Sequence, residues 1–171
     1  MNHCYYYTTV APEILDHHIK FNVWATARLL DAAGSLRPEE LTRDFGTSDG
    51  SIQGTFGHLL MAETIWLARL RGEEQPEAKN SGDPLDIVRG RFADLHRAWQ
   101  DWASRLTPED ADRIIDYRDL KGNPYSHPLW KLVFHVVNHS THHRGQISGF
   151  IRSLGHTPPS VDLITFVRLG G

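Results

Sequence analysis

Residues 85–106 read LDIVRGRFADLHRAWQDWASRL, and this stretch holds the clearest helical pattern in the chain. Its large apolar side chains recur every three or four residues and would share one face of an α-helix. They are Leu85, Val88, Phe92, Leu95, Trp99, Trp102 and Leu106. Asp83 is placed to cap this helix, with Pro84 as its first residue. The pattern predicts an amphipathic helix that buries one face against neighbouring helices.

Three more segments have a comparable apolar face and end at a glycine. They begin after Thr9, near Ser48 or Ser51, and near His127, and they end at Gly34, Gly72 and Gly155. Ser126 is placed to cap the last of them, with Pro128 in its first turn. Four long amphipathic helices predict an all-α four-helix bundle that forms a single domain over residues 1–171. The connections are longer than a minimal up-down bundle needs, which is compatible with a long crossover.

Short elements are predicted between the long helices. Pro38–Leu41 and residues 107–110 each favour one helical turn, because proline is well placed in a first turn. Segments 114–117 and 124–125 flank Gly122-Asn123, a pair typical of tight turns, and suggest a small hairpin.

The composition indicates which classes of partner to exclude and which cellular compartment to expect. The 171 residues include 18 Lys+Arg and 21 Asp+Glu, and the net charge is -3. With this balance and no recognition-helix motif, we expect no nucleic-acid partner. No apolar run approaches the roughly 20 residues that span a bilayer, and residues 1–10 lack the pattern of a signal peptide. We therefore expect no membrane partner and a cytoplasmic location. Cys4 is the single cysteine, so the fold needs no internal disulfide.

The candidate chemistry is concentrated in residues 135–146, which read HVVNHSTHHRGQ. His139 and His143 are four residues apart, which on a helix means about 40° of rotation and roughly 6 Å of rise. The two imidazoles would therefore lie one above the other and could share a metal ion. His135 continues the same row, whereas His142 is turned about 100° from His143 and points away.

A third ligand is expected from a facing helix, as in other metal sites built inside helical bundles. His58 is the candidate, because it lies in the apolar stretch 56–60 and a buried imidazole needs a polar partner. A metal ion is one such partner, and a hydrogen bond to a neighbouring side chain is the other. The residues alone leave both interpretations open.

The supporting residues are less distinctive. His135 and Asn138 are candidates to orient a ligand or the substrate without binding the metal. Glu63 follows His58 by five residues and could act as an acid or base, although a solvated position is the more ordinary interpretation. No catalytic residue is assigned. Cys4, His3, His17, His18 and His142 receive no role.

These stretches resemble the DinB family of helical metalloenzymes and the related YfiT-like group. The matching residues are 22–25 (NVWA), 51–58 (SIQGTFGH), 135–146 and 154–159 (LGHTPP), so the resemblance covers nearly the whole chain. It implies a four-helix bundle that holds a divalent ion, zinc or nickel in the first place and iron or manganese otherwise. It also implies that His58, His139 and His143 are the ligands and that the protein forms a homodimer.

The resemblance further implies an activity, since relatives include hydrolases and thiol S-transferases that use a low-molecular-weight thiol such as bacillithiol or mycothiol. Three neutral histidines leave an ion with an open position, where water or a small thiol would lose its proton. The leading hypothesis is a metal-dependent thiol S-transferase or hydrolase that acts on a small-molecule substrate. The alternatives are a metal-binding stress-response protein without catalysis and a bundle whose metal is purely structural.

Overall fold

The computed structural model describes residues 10–80 and 82–171, and these ranges contain seven helices and one two-stranded sheet. The long helices are α1 (Pro12–Ala33), α3 (Ile52–Arg71), α4 (Leu85–Ala103) and α6 (Leu129–Ser153). The short helices are α2 (Pro38–Leu41), α5 (Pro108–Ala111) and α7 (Leu163–Arg168). The antiparallel hairpin consists of β1 (Ile114–Arg118) and β2 (Pro124–Pro128). The predicted all-α four-helix bundle is confirmed, with the hairpin as a small addition.

The starts of α3 and α4 differ in how well the capping rules predict them. Ser51 caps α3, since its Oγ accepts a hydrogen bond of 3.0 Å from the N–H of Gly54. The prediction for α4 is wrong by one residue. Pro84 has an extended backbone (ψ 152°), so it precedes the helix, and Asp83 is not the cap.

The predicted start of α6 is also wrong. Ser126 and His127 pair with Asp116 and Ile115 in the hairpin. Backbone pairing to β1 therefore keeps these residues extended, and the helix begins only at Leu129. The hairpin itself was predicted at this place and is confirmed.

Helices α1 and α3 lie on a diagonal of the bundle, because each of them packs against both α4 and α6. His58 of α3 contacts His139 of α6, while Trp66 contacts His135. Residue numbers increase along α3 in the direction in which they decrease along α6, so the two helices are antiparallel. Residues that are distant in the chain are in this way brought to the same level of the bundle.

Helices α3 and α4 run parallel, which requires a long connection between them. Phe56 packs against Phe92 near their starts, and Arg71 donates a hydrogen bond of 2.8 Å to the carbonyl of Ala98 near their ends. A short turn cannot join parallel neighbours, so residues 72–84 return along α3. The longer crossover expected from the sequence is this segment.

Polar contacts hold the returning segment at both ends of α3. The Arg69 guanidinium donates a hydrogen bond of 2.8 Å to the side-chain oxygen of Gln75, and Nδ2 of Asn80 donates one of 2.8 Å to the carbonyl of Gly54. The span from residue 54 to residue 69 is about 22 Å along a helix. Gly57 permits the close approach, because a Cβ at this position would lie 2.1 Å from Oδ1 of Asn80.

A polar layer lies between the two larger of the three apolar clusters in the described part of the core. One cluster joins the end of α1, the starts of α3 and α4 and the end of α6 around residues such as Leu29, Phe56, Phe92 and Ile147. The other joins the opposite ends around residues such as Leu15, Leu67, Trp99 and Val133. Within the described ranges, no helix combines the length and the hydrophobicity that crossing a bilayer demands.

The Asn80 contact generates the first prediction. Asn80→Ala removes an anchor of the returning segment, so trypsin should cleave after Lys79, the single Lys or Arg of residues 73–82, several-fold faster than in the wild type. Glu77→Ala is the matched control, because this side chain is exposed in the same segment. Equal cleavage rates in the two variants would contradict the anchoring role of Asn80.

Candidate metal centre

Three histidines converge where α3 and α6 face each other. The Nε2 atoms of His58 and His139 are 3.4 Å apart, and those of His139 and His143 are 3.2 Å apart. Nitrogen ligands about 2.0 Å from a tetrahedral ion are roughly 3.3 Å from one another. Within the described residues, this is the group of His, Cys, Asp and Glu side chains whose spacing fits a shared ion. The donor set therefore fits a divalent metal.

Gln146 fixes the ring of His143. Nδ1 of His143 is 2.7 Å from Oε1 of Gln146. An amide oxygen only accepts, so Nδ1 carries the hydrogen and Nε2 keeps its lone pair on the side of the other two histidines. Gln146, the last residue of the family-like motif, thus orients the ring of His143, a candidate ligand.

The surroundings favour the neutral form of two of the three histidines, His139 and His143. Burial, and then the charges of His143 and His58, lower the pKa of His139 to about 4. Burial also lowers the pKa of His143, although the hydrogen bond to Gln146 acts in the opposite direction. Metals bind the neutral imidazole, so protons compete little with an ion near neutral pH.

The structure places His135 beside the three ligands and Asn138 away from them. The ring centroid of His135 is 5.8 Å from that of His139 and 5.0 Å from that of Trp66. Burial, followed by the charge of Arg69, lowers the pKa of His135. Asn138 and His135 are both exposed and both line a separate cavity beside α6, so the ring contact with His139 is what distinguishes His135. His135 is thus the better placed of the two supporting candidates.

The histidines without an assigned role do not join the cluster. The ring of His142 meets that of His143 edge to face at 5.0 Å. His17 and His18 pack against Phe166 and Phe134 respectively. His3 and Cys4 lie outside the described residues.

Asp49 adjoins the cluster, and sequence reasoning did not single it out. Its carboxylate oxygens lie 3.5 Å from Nδ1 of His58 and 3.7 Å from Nδ1 of His143. The residue belongs to the loop before α3. Hydrophobic periodicity carries no information about how such a loop folds, so only the presence of an acidic residue near Ser51 could have drawn attention to it.

Glu63 is buried in the polar layer next to the metal centre, so the interpretation as a solvated residue is wrong. Its Oε1 accepts hydrogen bonds from Nδ2 of Asn22 (2.9 Å) and Oγ of Ser140 (2.8 Å). Nε2 of His96 lies 3.3 Å from Oε2, close enough for an ion pair but at a poor angle for a hydrogen bond. Burial opposes the charge, but the contacts with His96, Asn22 and Ser140 outweigh it and lower the pKa of Glu63.

Arg144 supplies the opposite charge on the other side of Asn22. Its Nη1 donates hydrogen bonds to Oδ1 of Asn22 and, at 3.2 Å, to Oγ1 of Thr26. Its Nη2 donates one of 2.8 Å to Oγ1 of Thr141. Burial lowers the pKa of Arg144 to about 10, so the guanidinium stays charged at neutral pH. The family-like residues Asn22 and Arg144 therefore serve one buried network.

A cavity of about 1030 Å³ lies on the opposite side of α6, between α1 and the segment before α7. Its walls include Phe21, Phe134, Asn138 and Val161. Size alone would favour this cavity as a binding site. His139 and His143, however, are not part of its walls, and the metal-binding geometry lies on the α3 side. We therefore place the chemistry at the histidine cluster.

The fold and the histidine cluster together define a helical bundle protein with a candidate metal centre. The family model of the DinB family matches residues 7–169, which is nearly the whole chain. The chain therefore belongs to the DinB family. The curated Protein DinB of Bacillus subtilis (strain 168) is 22% identical over 156 residues, which cover 84% of this chain and 87% of that protein.

Two solved structures share the fold. A DinB-like protein from Bacillus cereus ATCC 10987 superposes with a TM-score of 0.66 and 23% identity, covering 84% of this chain and 92% of the other. YfiT from Bacillus subtilis superposes with a TM-score of 0.72 and 17% identity, covering 88% and 93%. YfiT is described as a probable metal-dependent hydrolase with an unusual four-helix bundle topology. At these identities the likeness shows the fold alone.

The network around Glu63 generates a stability prediction. Glu63→Ala leaves the buried donors of Asn22 and Ser140 without their acceptor, so the free energy of unfolding should fall by about 3 kcal/mol. Urea denaturation of the metal-free protein measures this change. Glu74→Ala, an exposed change just after α3, is the control and should have little effect. A loss no larger than that of the control would contradict the structural role of Glu63.

The low pKa of His139 generates a prediction of pH dependence. Free histidine titrates near 6.5, whereas folding lowers the pKa of His139 to about 4. Between these values the unfolded chain binds a proton that the folded chain does not, so stability falls as the pH drops. The urea midpoint of metal-free wild type should therefore decrease more between pH 7.5 and pH 5 than that of His139→Gln. An identical decrease in both proteins would contradict the assignment.

Proposed function

We propose that the protein is a divalent-metal-dependent enzyme in which His58, His139 and His143 hold the ion and a small nucleophile attacks a small-molecule substrate. The convergence of the three Nε2 atoms at the contact between α3 and α6 carries this proposal. Three protein ligands are the set typical of catalytic zinc sites, whereas structural sites usually have four. Imidazole donors suit zinc and nickel first, with iron or manganese as alternatives.

The ligand set is open to the solvent on one side. The side chain of His58 is 26% exposed, whereas that of His143 is only 9% exposed. An ion held by neutral ligands keeps its full charge and lowers the pKa of a water or thiol that takes its open position. His135 is the candidate to exchange a proton with the nucleophile or the substrate, because its ring lies beside that of His139.

Hydrolysis and thiol transfer would use the same residues and differ in the nucleophile. The similarity to YfiT, which is described as a probable metal-dependent hydrolase, supports water as the nucleophile. The family resemblance also supports a low-molecular-weight thiol as co-substrate, which would make the protein a thiol S-transferase. Since a thiolate and a hydroxide need the same positive charge beside them, the histidines serve either reaction.

The two alternatives, a structural ion and a non-catalytic metal-binding protein, require different features of the site. A structural ion is normally closed by a fourth protein ligand and shielded from solvent. Among the described residues the cluster contains three ligands, and His58 is partly exposed, which supports an open position. A non-catalytic stress-response protein would bind the ion without turning over any substrate. The homodimer implied by the family resemblance stays a prediction.

The proposal predicts that tag-free protein, purified without added metal, carries about one divalent ion per chain. Elemental analysis should find this ion in the wild type and lose it in a His139→Ala, His143→Ala double variant. His17→Ala, His18→Ala is the matched control, because these neighbouring histidines pack against phenylalanines. Negligible metal in the wild type, with no uptake on titration, would contradict the proposal.

Cobalt substitution tests the open position separately. Azide or a small thiol added to the Co²⁺ protein should change its visible absorption, because an open site accepts an external ligand. An unchanged spectrum would indicate a closed, structural ion. Screens with ester, amide and thiol-acceptor substrates then distinguish an enzyme from a non-catalytic metal-binding protein.

A further inference from the structure

The carboxylate of Asp49 lies on the Nδ1 side of two candidate ligands, His58 and His143. Its Oδ1 lies 3.5 Å from Nδ1 of His58, and its Oδ2 lies 3.7 Å from Nδ1 of His143. The atoms that converge on the ion are the Nε2 atoms on the other side of each ring, so Asp49 contacts ligands without belonging to the ligand set. Its side chain is only 13% exposed. A charge in such surroundings is weakly screened and acts strongly on its neighbours.

The loop before α3 is shaped so that Asp49 reaches this position. Gly50 has a φ of +70°, in the left-handed region that favours glycine, and it turns the chain just after Asp49. The carbonyl of Asp49 accepts a hydrogen bond of 2.7 Å from the N–H of Ser51. A Cβ on residue 54 would lie 2.0 Å from that carbonyl oxygen. Gly54 therefore lets the Asp49 backbone close against the first turn of α3.

Helix capping does not account for the carboxylate of Asp49. An acidic residue just before a helix often accepts hydrogen bonds from the free N–H groups of the first turn. At α3 this task belongs to Ser51, whose Oγ accepts from Gly54. The carboxylate of Asp49 lies instead against the two histidines, and its Oδ2 also accepts a weak hydrogen bond of 3.5 Å from Oγ of Ser48.

We propose that Asp49 is a positioning residue of the metal centre, which attracts the Nδ1 hydrogen of His58 and so holds its Nε2 toward the ion. This inference rests on the metal centre proposed above. Gln146 accepts the Nδ1 hydrogen of His143 at 2.7 Å, and Asp49 places a carboxylate oxygen 3.5 Å from Nδ1 of His58. At 3.5 Å the attraction is mainly electrostatic. The carboxylate also offsets part of the charge of the bound ion, as carboxylates behind metal-ligating histidines commonly do.

The test is the metal affinity of Asp49→Asn, which keeps the shape of the side chain and removes its charge. Competition with a chromophoric chelator should show that Zn²⁺ binds roughly 10- to 100-fold more weakly than to the wild type. Asp44→Asn is the matched control in the same loop, because Asp44 accepts a hydrogen bond from the N–H of Gly46 (2.8 Å). Its affinity should equal that of the wild type.

Gly54→Ala provides a second, independent variant. Its Cβ would displace the backbone of Asp49 without changing any charge, so it should also weaken Zn²⁺ binding. The visible spectrum of the Co²⁺ form should shift in both variants, and metal-free Asp49→Asn should unfold at the wild-type temperature, which separates positioning from folding. Wild-type affinity in Asp49→Asn would overturn the role of Asp49 alone. A wild-type protein that binds no metal would overturn the metal centre and this role together.

Discussion

One buried carboxylate joins all four long helices. Glu63 of α3 accepts hydrogen bonds from Asn22 of α1 and Ser140 of α6, and it faces His96 of α4. An ionised carboxylate is costly inside a protein unless it is paired and hydrogen-bonded, so these contacts favour the axial register of the helices that brings the partners to Glu63. Ser140 directly follows His139, and the same register therefore brings His139 opposite α3 at the level of His58.

The network extends beyond Glu63 and balances its charge. Asn22 donates to Glu63 with its amide nitrogen and accepts from Arg144 with its oxygen, so it connects a buried anion to a buried cation. Apolar clusters fill the bundle on both sides of this polar layer. Hydrophobic burial supplies most of the stability of such a core, and it tolerates small shifts of one helix along another. The hydrogen-bonded layer tolerates such shifts less well, and the three candidate ligand histidines lie next to it.

Helical spacing predicted the parts of the site that lie within helices. His139 and His143 share a face because they are four residues apart, and His58 was found because it interrupts an apolar stretch. Glu63 was misjudged for the opposite reason: α3 is apolar around most of its circumference, so spacing alone does not show which side faces the core. Asp49 and the start of α6 depend on a loop conformation and on a hairpin partner. The position of each is set by contacts with residues distant in the sequence, and a local sequence pattern does not encode such contacts.

The third ligand depends on loops in a way that the other two do not. His139 and His143 are fixed relative to each other by the α6 backbone, whereas His58 lies within the first two turns of α3, whose placement against α6 sets its distance from them. Two loops close against these turns, one through the carbonyl of Asp49 at Gly54 and one through Asn80 at Gly57. A Cβ at Gly54 would meet the backbone carbonyl of Asp49 and displace that loop, whereas a Cβ at Gly57 would meet the end of the Asn80 side chain. Gly54 and Gly57 therefore allow both loops to pack closely against the turns that carry His58, the candidate third ligand.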